Sequence, residues 1–427
     1  MGKLPVRALL VFCLFLLSAI AFLDRTNLSI AGPQINQEYG LSDIRLGWLI
    51  SAFLVGYAGS QVLAGWVAVR LGPRRALTLG ALWWGLFTFG TTMVSARVPH
   101  ALWLLVAVRF SLGIGEAIMY PATNQFVARW IPARERGRVN GVIFAGVGAG
   151  AGLTPPLLTA IISVHGWRSA FWFSAVLGVL AGVIWYLIAR DAPEEHPLMS
   201  AEELKTIRSG LAQAKGGVIA KRAVPWMAIL HSRTVGLLTF SCFCFGYVAW
   251  IFLGWFFLYM AQARGVDLKT SAFYTMIPFL AMTVFCLMGG VLSDWIVLRR
   301  GLRAGRCGPG VISLLLAAGL LVAGSHVARA PLAAITLAFG VGALYLSQSC
   351  YWSVTADIAG SNAGVVSAVM NTGAQVGGAV TASLTPWLAL RFGWTTSFLA
   401  AAILAVAGAV AWFGIDPEKQ LERADGR

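Results

Sequence analysis

The sequence predicts an all-α membrane protein of twelve transmembrane helices in two pseudo-symmetric six-helix bundles, with both termini cytoplasmic. Three observations carry this reading. The composition is 58% hydrophobic and only 11% charged, with a mean hydropathy of +0.76, where a soluble chain carries roughly 25% charged residues. About twelve apolar stretches approach the ~20 residues that a helix needs to cross a bilayer core. The second half of the chain also repeats landmarks of the first half in the same order.

Taken in order, the spans fall at 8–30, 45–68, 76–95, 101–127, 139–163, 169–189, 234–261, 270–296, 310–327, 331–356, 363–389 and 394–414. The start of the first resembles a secretory signal, with Lys3 and Arg7, an apolar run and Ala19-Ile20-Ala21 as a cleavage site. An uncleaved first helix is preferred, because the apolar run continues to Ala31 and cleavage would discard Asp24 and Arg25. Most connections are short; the long one follows the sixth span. The chain thus divides into an N-terminal bundle (1–190), a cytoplasmic linker (191–233), a C-terminal bundle (234–415) and a cytoplasmic tail (416–427). Within the linker, Ser200 and Glu203 have capping-box spacing and open a short amphipathic helix, SAEELKTIRSGLAQA.

The internal repeat is read from three pairs. Leu153-Thr154-Pro155 matches Leu384-Thr385-Pro386 at an offset of 231. Gly166-Trp167 with Phe171 matches Gly393-Trp394 with Phe398 at an offset of 227. Gly65, Arg70, Arg74 and Arg75 after span two match Gly290, Asp294 and Arg299-Arg300 after span eight, the glycines at an offset of 225. Two halves related by an axis along the membrane normal, with a ligand site between them near the midplane, is a transporter architecture. Spans five and eleven are rich in glycine, which lets helix backbones approach closely; ordinary tight packing explains this as well as a gating role does.

The net charge of +15 invites a nucleic-acid partner, but its placement argues against one. With the N-terminus inside, about 23 Lys and Arg fall on the inner side and about seven on the outer side, the remaining two being Arg25 and Arg109. That is the positive-inside bias. Six cysteines lie mostly in apolar stretches, without metal-ligand spacing, and read as reduced, buried side chains. No metal, cofactor or catalytic nucleophile is expected; the five histidines sit near span ends or in loops. Most of the seventeen tryptophans read as interfacial and packing residues.

The chemistry concentrates in two spans. Arg109 and Glu116 are seven residues apart in span four, two helical turns and roughly 10 Å of rise, so they share a face. Asp24 and Arg25 in span one are consecutive and point about 100° apart, so they cannot share one direction; Arg25 is placed toward the central cavity and Asp24 toward neighbouring helices. A charge at mid-membrane costs roughly 2.5–3.5 kcal/mol on the insertion scale, so such groups face a protein interior or a water-filled cavity. Two buried ion pairs that merely fix helix packing are one reading, although a buried ion pair is weak evidence of stability. The other is coupling. An organic anion that takes over an arginine strips a carboxylate of its counter-ion; the carboxylate then binds a proton, and anion and proton favour each other's binding.

These residues resemble the major facilitator superfamily and, more narrowly, its anion:cation symporter family, which includes galactonate and hexuronate transporters and the vesicular glutamate and sialic acid carriers. The likeness runs over the whole chain. It is carried by Leu23-Asp24-Arg25-Thr26-Asn27-Leu28, Tyr57 to Gln61, Arg109 to Ala117 with Pro121, Gly166-Trp167-Arg168 and Asn371. The resemblance implies Asp24 and Glu116 as proton-coupling acids, Arg25 as the ligand of a substrate carboxylate, and Arg109 as the partner of Glu116 that also helps to bind substrate. It implies Tyr57, Trp352 and Asn371 on the cavity wall. Gln61, Tyr247 and Gln375 are added as polar groups within the spans, Gln375 being one turn from Asn371 on the same face. Gly65, Arg70, Arg74, Arg75, Gly290 and Asp294 correspond to gating-loop positions. Two positions depart from the family pattern: Val69 stands where the loop motif has an aspartate, and Phe22 where a tyrosine is usual.

The resulting expectation is a monomeric, multi-pass protein of the cell (inner or plasma) membrane that imports a small organic anion, a sugar acid or related carboxylate, with the proton as coupling ion and no cofactor. An exporter or antiporter of lipophilic compounds is the alternative. A membrane sensor with a transporter fold is remote, because only the linker and tail are available as a cytoplasmic domain. An enzyme is not expected.

Overall fold

A computed structural model describes residues 5–212 and 224–421. Several residues assigned above lie outside these: Lys3, Lys215, Lys221, Arg222, Arg423 and Arg427 among the inner cations, Gln213 and Ala214 of the linker helix, and the end of the tail. The N-terminal half comprises α1 (Val6–Tyr39), α2 (Asp43–Leu71), α3 (Pro73–Met93), α4 (Ala101–Glu116), α5 (Met119–Trp130), α6 (Arg136–His165) and α7 (Trp167–Ile188). Between the halves lie α8 (Ala201–Ala212) and α9 (Trp226–His231). The C-terminal half comprises α10 (Arg233–Gly254), α11 (Phe256–Leu258), α12 (Leu268–Arg300), α13 (Leu302–His326), α14 (Ala330–Tyr345), α15 (Gln348–Ala359), α16 (Ala363–Phe392) and α17 (Trp394–Ala411).

Among the described residues, ten helical stretches are long and apolar enough to cross a membrane. The stretch 330–392 holds two crossings, and α3 completes twelve. Their outer surfaces are apolar, with Leu63, Leu86, Leu187, Ile312, Leu390 and Phe413 among many large side chains left exposed. Apolar exposure on this scale marks a lipid-facing surface. The interior holds tryptophans as well: Trp84, Trp130, Trp185 and Trp412 are fully buried, so these four pack the helices rather than anchor an interface.

The repeat is visible in the backbone. The tight turns after α2 and α12 are made by Gly72 and Gly301, at φ +81° and +87°; those after α6 and α16 are made by Gly166 and Gly393, at +78° and +86°. A positive φ is open to glycine without steric cost, which is why glycine recurs at the matching turn of each half.

Three spans read as continuous are interrupted. The fourth breaks at Ala117 and Ile118, directly after Glu116. Pro121 has no N–H for the carbonyl four residues back, and that carbonyl, Ala117 O, accepts instead from Gln61 Nε2 at 3.3 Å. The tenth breaks at the matching place, Leu346 and Ser347. The seventh ends its regular helix at Gly254 and continues as a short turn and a π-helical turn, Tyr259–Ala263.

The linker helix departs from the reciprocal capping box. Ser200 Oγ accepts from Glu203 N at 3.1 Å, but the Glu203 carboxylate does not turn back to its own helix. It accepts from Val6 N and Arg7 N, both at 3.1 Å, and so caps the first turn of α1, where an anion is favoured. Glu203→Ala is expected to cost about 0.5–2 kcal/mol, read as a lower melting temperature of the detergent-solubilised protein. Nearby, the His196 ring packs edge-on to Trp130, and burial pushes its imidazole below the ordinary range.

The two halves meet along α2 against α16 and α6 against α12, with α5 and α15 closing the inner side. Gly65 lies against the backbone of Gly364 and Val365, and Gly290 against that of Gly137 and Arg138. A side chain at Gly65, Gly137 or Gly290 would separate the bundles.

Candidate functional site

Consecutive positions on α1 send the span-one charges into different surroundings. Asp24 is buried against α3 and α7: Oδ2 accepts from Thr88 Oγ1 at 2.8 Å and Oδ1 from Asn27 Nδ2 at 3.1 Å, while Asn27 Nδ2 also donates to Ser174 Oγ at 2.8 Å. Arg25 turns the other way and lines a cavity between the halves. Its Nε donates to Glu116 Oε1 at 2.5 Å. Its guanidinium lies over the rings of Tyr57 at 4.5 Å and Phe22 at 4.8 Å, a cation–π arrangement favoured where water is excluded.

Glu116 therefore pairs with Arg25, not with Arg109 as expected. The Phe53 ring stands 5.3 Å from the Arg109 guanidinium and 5.7 Å from that of Arg25. Arg109 is 2% exposed, is absent from the cavity wall, and has Nε and Nη1 without hydrogen-bond partners. Of the four groups, Arg25 and Glu116 are paired, whereas Asp24 is held by Thr88 and Asn27 and Arg109 lies against Phe53. Seven residues along one helix gave Arg109 and Glu116 a common face, but α1 brings a nearer guanidinium to Glu116.

The cavity leaves about 80 Å³ open. Toward the inner side it is shut by Tyr120, Phe144 and Trp352, whose ring centroids are 4.9 Å apart for both Tyr120–Phe144 and Phe144–Trp352. Tyr57, Asn371, Gln375 and Trp352 line it, as expected for cavity contacts. Gln61 and Tyr247 do not. Gln61 is fully buried and bridges the halves, with Oε1 accepting from Asn371 Nδ2 at 3.1 Å. Tyr247 is fully buried against α16, where its hydroxyl accepts from Thr385 Oγ1 at 3.4 Å. A polar group in a membrane helix is often used to bond a neighbouring helix, and these two are.

The sequence reading missed Gln348 and Tyr345, which flank the break between α14 and α15 and line the cavity. The internal repeat carried the signal: an offset of 231 from Glu116 lands on Ser347, beside Gln348. No group of three or more metal-ligating side chains occurs among the described residues.

The profile of the Major Facilitator Superfamily matches residues 14–382. The chain belongs to the Major Facilitator Superfamily. It is a multi-pass membrane transporter and not an enzyme. Over 425 residues it is 33% identical to the "Probable sulfoacetate transporter SauU" of Cupriavidus necator, covering 99% of this chain and 97% of that protein. It is 34% identical over 284 residues to the "Probable L-galactonate transporter" of Escherichia coli K12, covering 66% of this chain and 61% of that protein. In fold it is similar to the proton:xylose symporter XylE, with a TM-score of 0.76 at 16% identity over 97% of this chain and 98% of that one.

In this superfamily member the inner side is closed by a buried ionic cluster. Asp294 accepts from Gly137 N at 2.9 Å, Arg138 N at 2.7 Å and Arg306 Nη1 at 3.0 Å. Arg306 Nε reaches Asp357 at 3.1 Å, and Arg136 Nη1 reaches the same carboxylate at 2.7 Å. The cluster joins α6 of one half to α12, α13 and α15 of the other. The remaining loop arginines stay within their own half: Arg70 over Trp66, Arg74 donating through N to Asp191 at 3.0 Å and through Nε to Tyr186 O at 2.8 Å, and Arg75 exposed.

Proposed function

We propose that the protein imports a small organic anion, a sugar acid or related carboxylate, together with protons. One observation carries the reading: the cavity's arginine is held by a carboxylate at 2.5 Å through Nε alone, while its Nη2, the second Glu116 oxygen and the Tyr57 hydroxyl are buried without partners. An unmade buried hydrogen bond costs about 1–3 kcal/mol, more for a charged group. A guest carboxylate accepts from Arg25 and Tyr57 and removes that cost. It also draws the guanidinium from Glu116, which is then a buried carboxylate short of its counter-charge and takes up a proton. Arginine suits this exchange because its planar fork meets a carboxylate through parallel bonds.

Asp24, buried and held by Thr88 and Asn27, is the second acid in this reading. The names of the two curated relatives, both organic-acid transporters, support an anionic substrate. The route is the cell (inner or plasma) membrane, and the unit is a monomer with no cofactor beyond the proton.

Glu116→Gln tests the coupling. In proteoliposomes it is expected to abolish accumulation driven by a pH gradient while anion exchange continues. Uphill transport at the wild-type rate in the variant refutes the role of Glu116.

One observation favours the alternative, an exporter of lipophilic compounds. An apolar groove of about 650 Å³ between α2 and α16, lined by Ala58, Val376, Ala379, Val380, Leu384 and Trp387, shares Gln375 with the cavity. That reading has no use for Arg25, so drug-resistance profiling of Arg25 variants beside anion uptake separates the two.

A further inference from the structure

We propose that the C-terminal wall of the cavity selects guests with one acidic group and a neutral hydroxylated body, and that Gln348 and Gln375 are the residues that read that body. This rests on the anion reading above and adds the guest's second end. The two halves contribute different chemistry to the cavity. Among the described residues that line it, Arg25 is the one cation and no carboxylate appears. Arg25 and the Tyr57 hydroxyl both belong to the N-terminal half, so the acidic end of a guest is bound there.

The opposite wall is built from α10, α14, α15 and α16, and its three carboxamides are Gln348, Asn371 and Gln375. Asn371 gives its amide N–H to Gln61 at 3.1 Å, and the Tyr120 hydroxyl is shared with Ser18 at 3.1 Å. Gln348 and Gln375 are different: both are partly exposed and line the cavity, and neither side-chain amide has a hydrogen bond among the described residues. A carboxamide offers two N–H donors and an oxygen acceptor. A hydroxyl, which both donates and accepts, satisfies either side of it. A second ionised carboxylate only accepts; it can take the amide N–H groups but leaves the amide oxygens without a donor and finds no cation on this wall. Burying a charge without a partner is far more costly than burying a hydrogen-bonded hydroxyl. Discrimination of this kind comes from groups left unpaired by the wrong guest.

The test uses three six-carbon acids that differ only in the body and far end, D-gluconate, D-glucarate and hexanoate, with sulfoacetate as a compact doubly acidic probe. Binding to the purified full-length protein in detergent is measured by intrinsic tryptophan fluorescence. Gluconate is expected to bind at least about tenfold more tightly than glucarate and than hexanoate. Gln348→Leu with Gln375→Leu is expected to weaken gluconate about tenfold and leave hexanoate within about twofold. Each single leucine variant is run beside the double, so that a misfolded double leaves the singles to decide. Gln348→Arg is expected to raise glucarate affinity at the expense of gluconate.

Glucarate or sulfoacetate binding as tightly as gluconate to the wild type, still through Arg25, overturns this inference and leaves the anion reading standing. So does an equal loss of gluconate and hexanoate in the leucine variants. Binding of every acid that is indifferent to Arg25→Leu overturns the anion reading itself.

Discussion

Lysine in place of Arg25 is expected to lower anion transport about a hundredfold even though the charge is kept. The arginine does three things in different directions at once. Nε holds Glu116 at 2.5 Å, the flat face rests on the Tyr57 and Phe22 rings at 4.5 and 4.8 Å, and Nη2 is left for a guest. An ammonium is a compact point charge on a flexible stem. It satisfies Glu116 or the guest, not both in the geometry that lets one displace the other. Losing one or two charge-assisted hydrogen bonds at about 1.5–3 kcal/mol each corresponds to roughly ten- to a hundredfold or more in affinity. Initial rates of labelled gluconate uptake into proteoliposomes, normalised to folded protein by its melting curve, measure the effect. Transport by the lysine variant within about threefold of wild type means that charge alone suffices and that the guanidinium geometry is not used.

Twelve spans and their pseudo-symmetry were legible because both rest on one-dimensional signals. Apolar length announces a crossing, and glycines such as Gly72, Gly166, Gly301 and Gly393 recur where only a positive φ closes the turn. The charged residues announced themselves too, since lipid makes them costly. What the sequence did not carry was pairing. Arg109 and Glu116 share a helix face, yet Glu116 bonds an arginine 91 positions away, a choice made by how α1 packs beside α4. Exposure was equally hidden. Gln61 and Tyr57 lie one turn apart on α2, but Tyr57 lines the cavity while Gln61 meets Asn371 across the interface. The helix breaks were half legible: Pro121 marks one, whereas the break at Leu346 and Ser347 has no proline and was accessible only through the repeat.

The loop aspartate missing at position 69 sets up the second large effect. Asp294→Ala is expected to open the inner side at α6 and α12 and to cost about 3–5 kcal/mol, because Arg306 loses one of its two carboxylates and the buried N–H groups of Gly137 and Arg138 lose their acceptor. Arg306 is fully buried, and Asp294 is also the cap of α6 across the interface through Gly137 N and Arg138 N. At the corresponding corner, Val69 has no oxygen to offer α16. The cap comes instead from α5: Gln125 Oε1 accepts from Gly364 N at 2.9 Å, Gln125 Nε2 donates to Ser361 O at 2.8 Å, and Asn124 Nδ2 donates to Thr355 Oγ1 at 2.8 Å. A neutral carboxamide thus holds one corner of the closed inner side and a carboxylate–arginine cluster holds the other. Gln125→Leu is accordingly expected to cost less than Asp294→Ala, about 1–3 kcal/mol for the hydrogen bonds it leaves unmade. Val69→Asp is expected to gain nothing, because the N–H it would cap is already bonded to Gln125. Distances between spin labels at the inner ends of α2 and α16, and of α6 and α12, report each corner separately. A Val69→Asp protein whose inner side closes more firmly, with Gln125 still in place, would show that the carboxamide does not do the missing carboxylate's work.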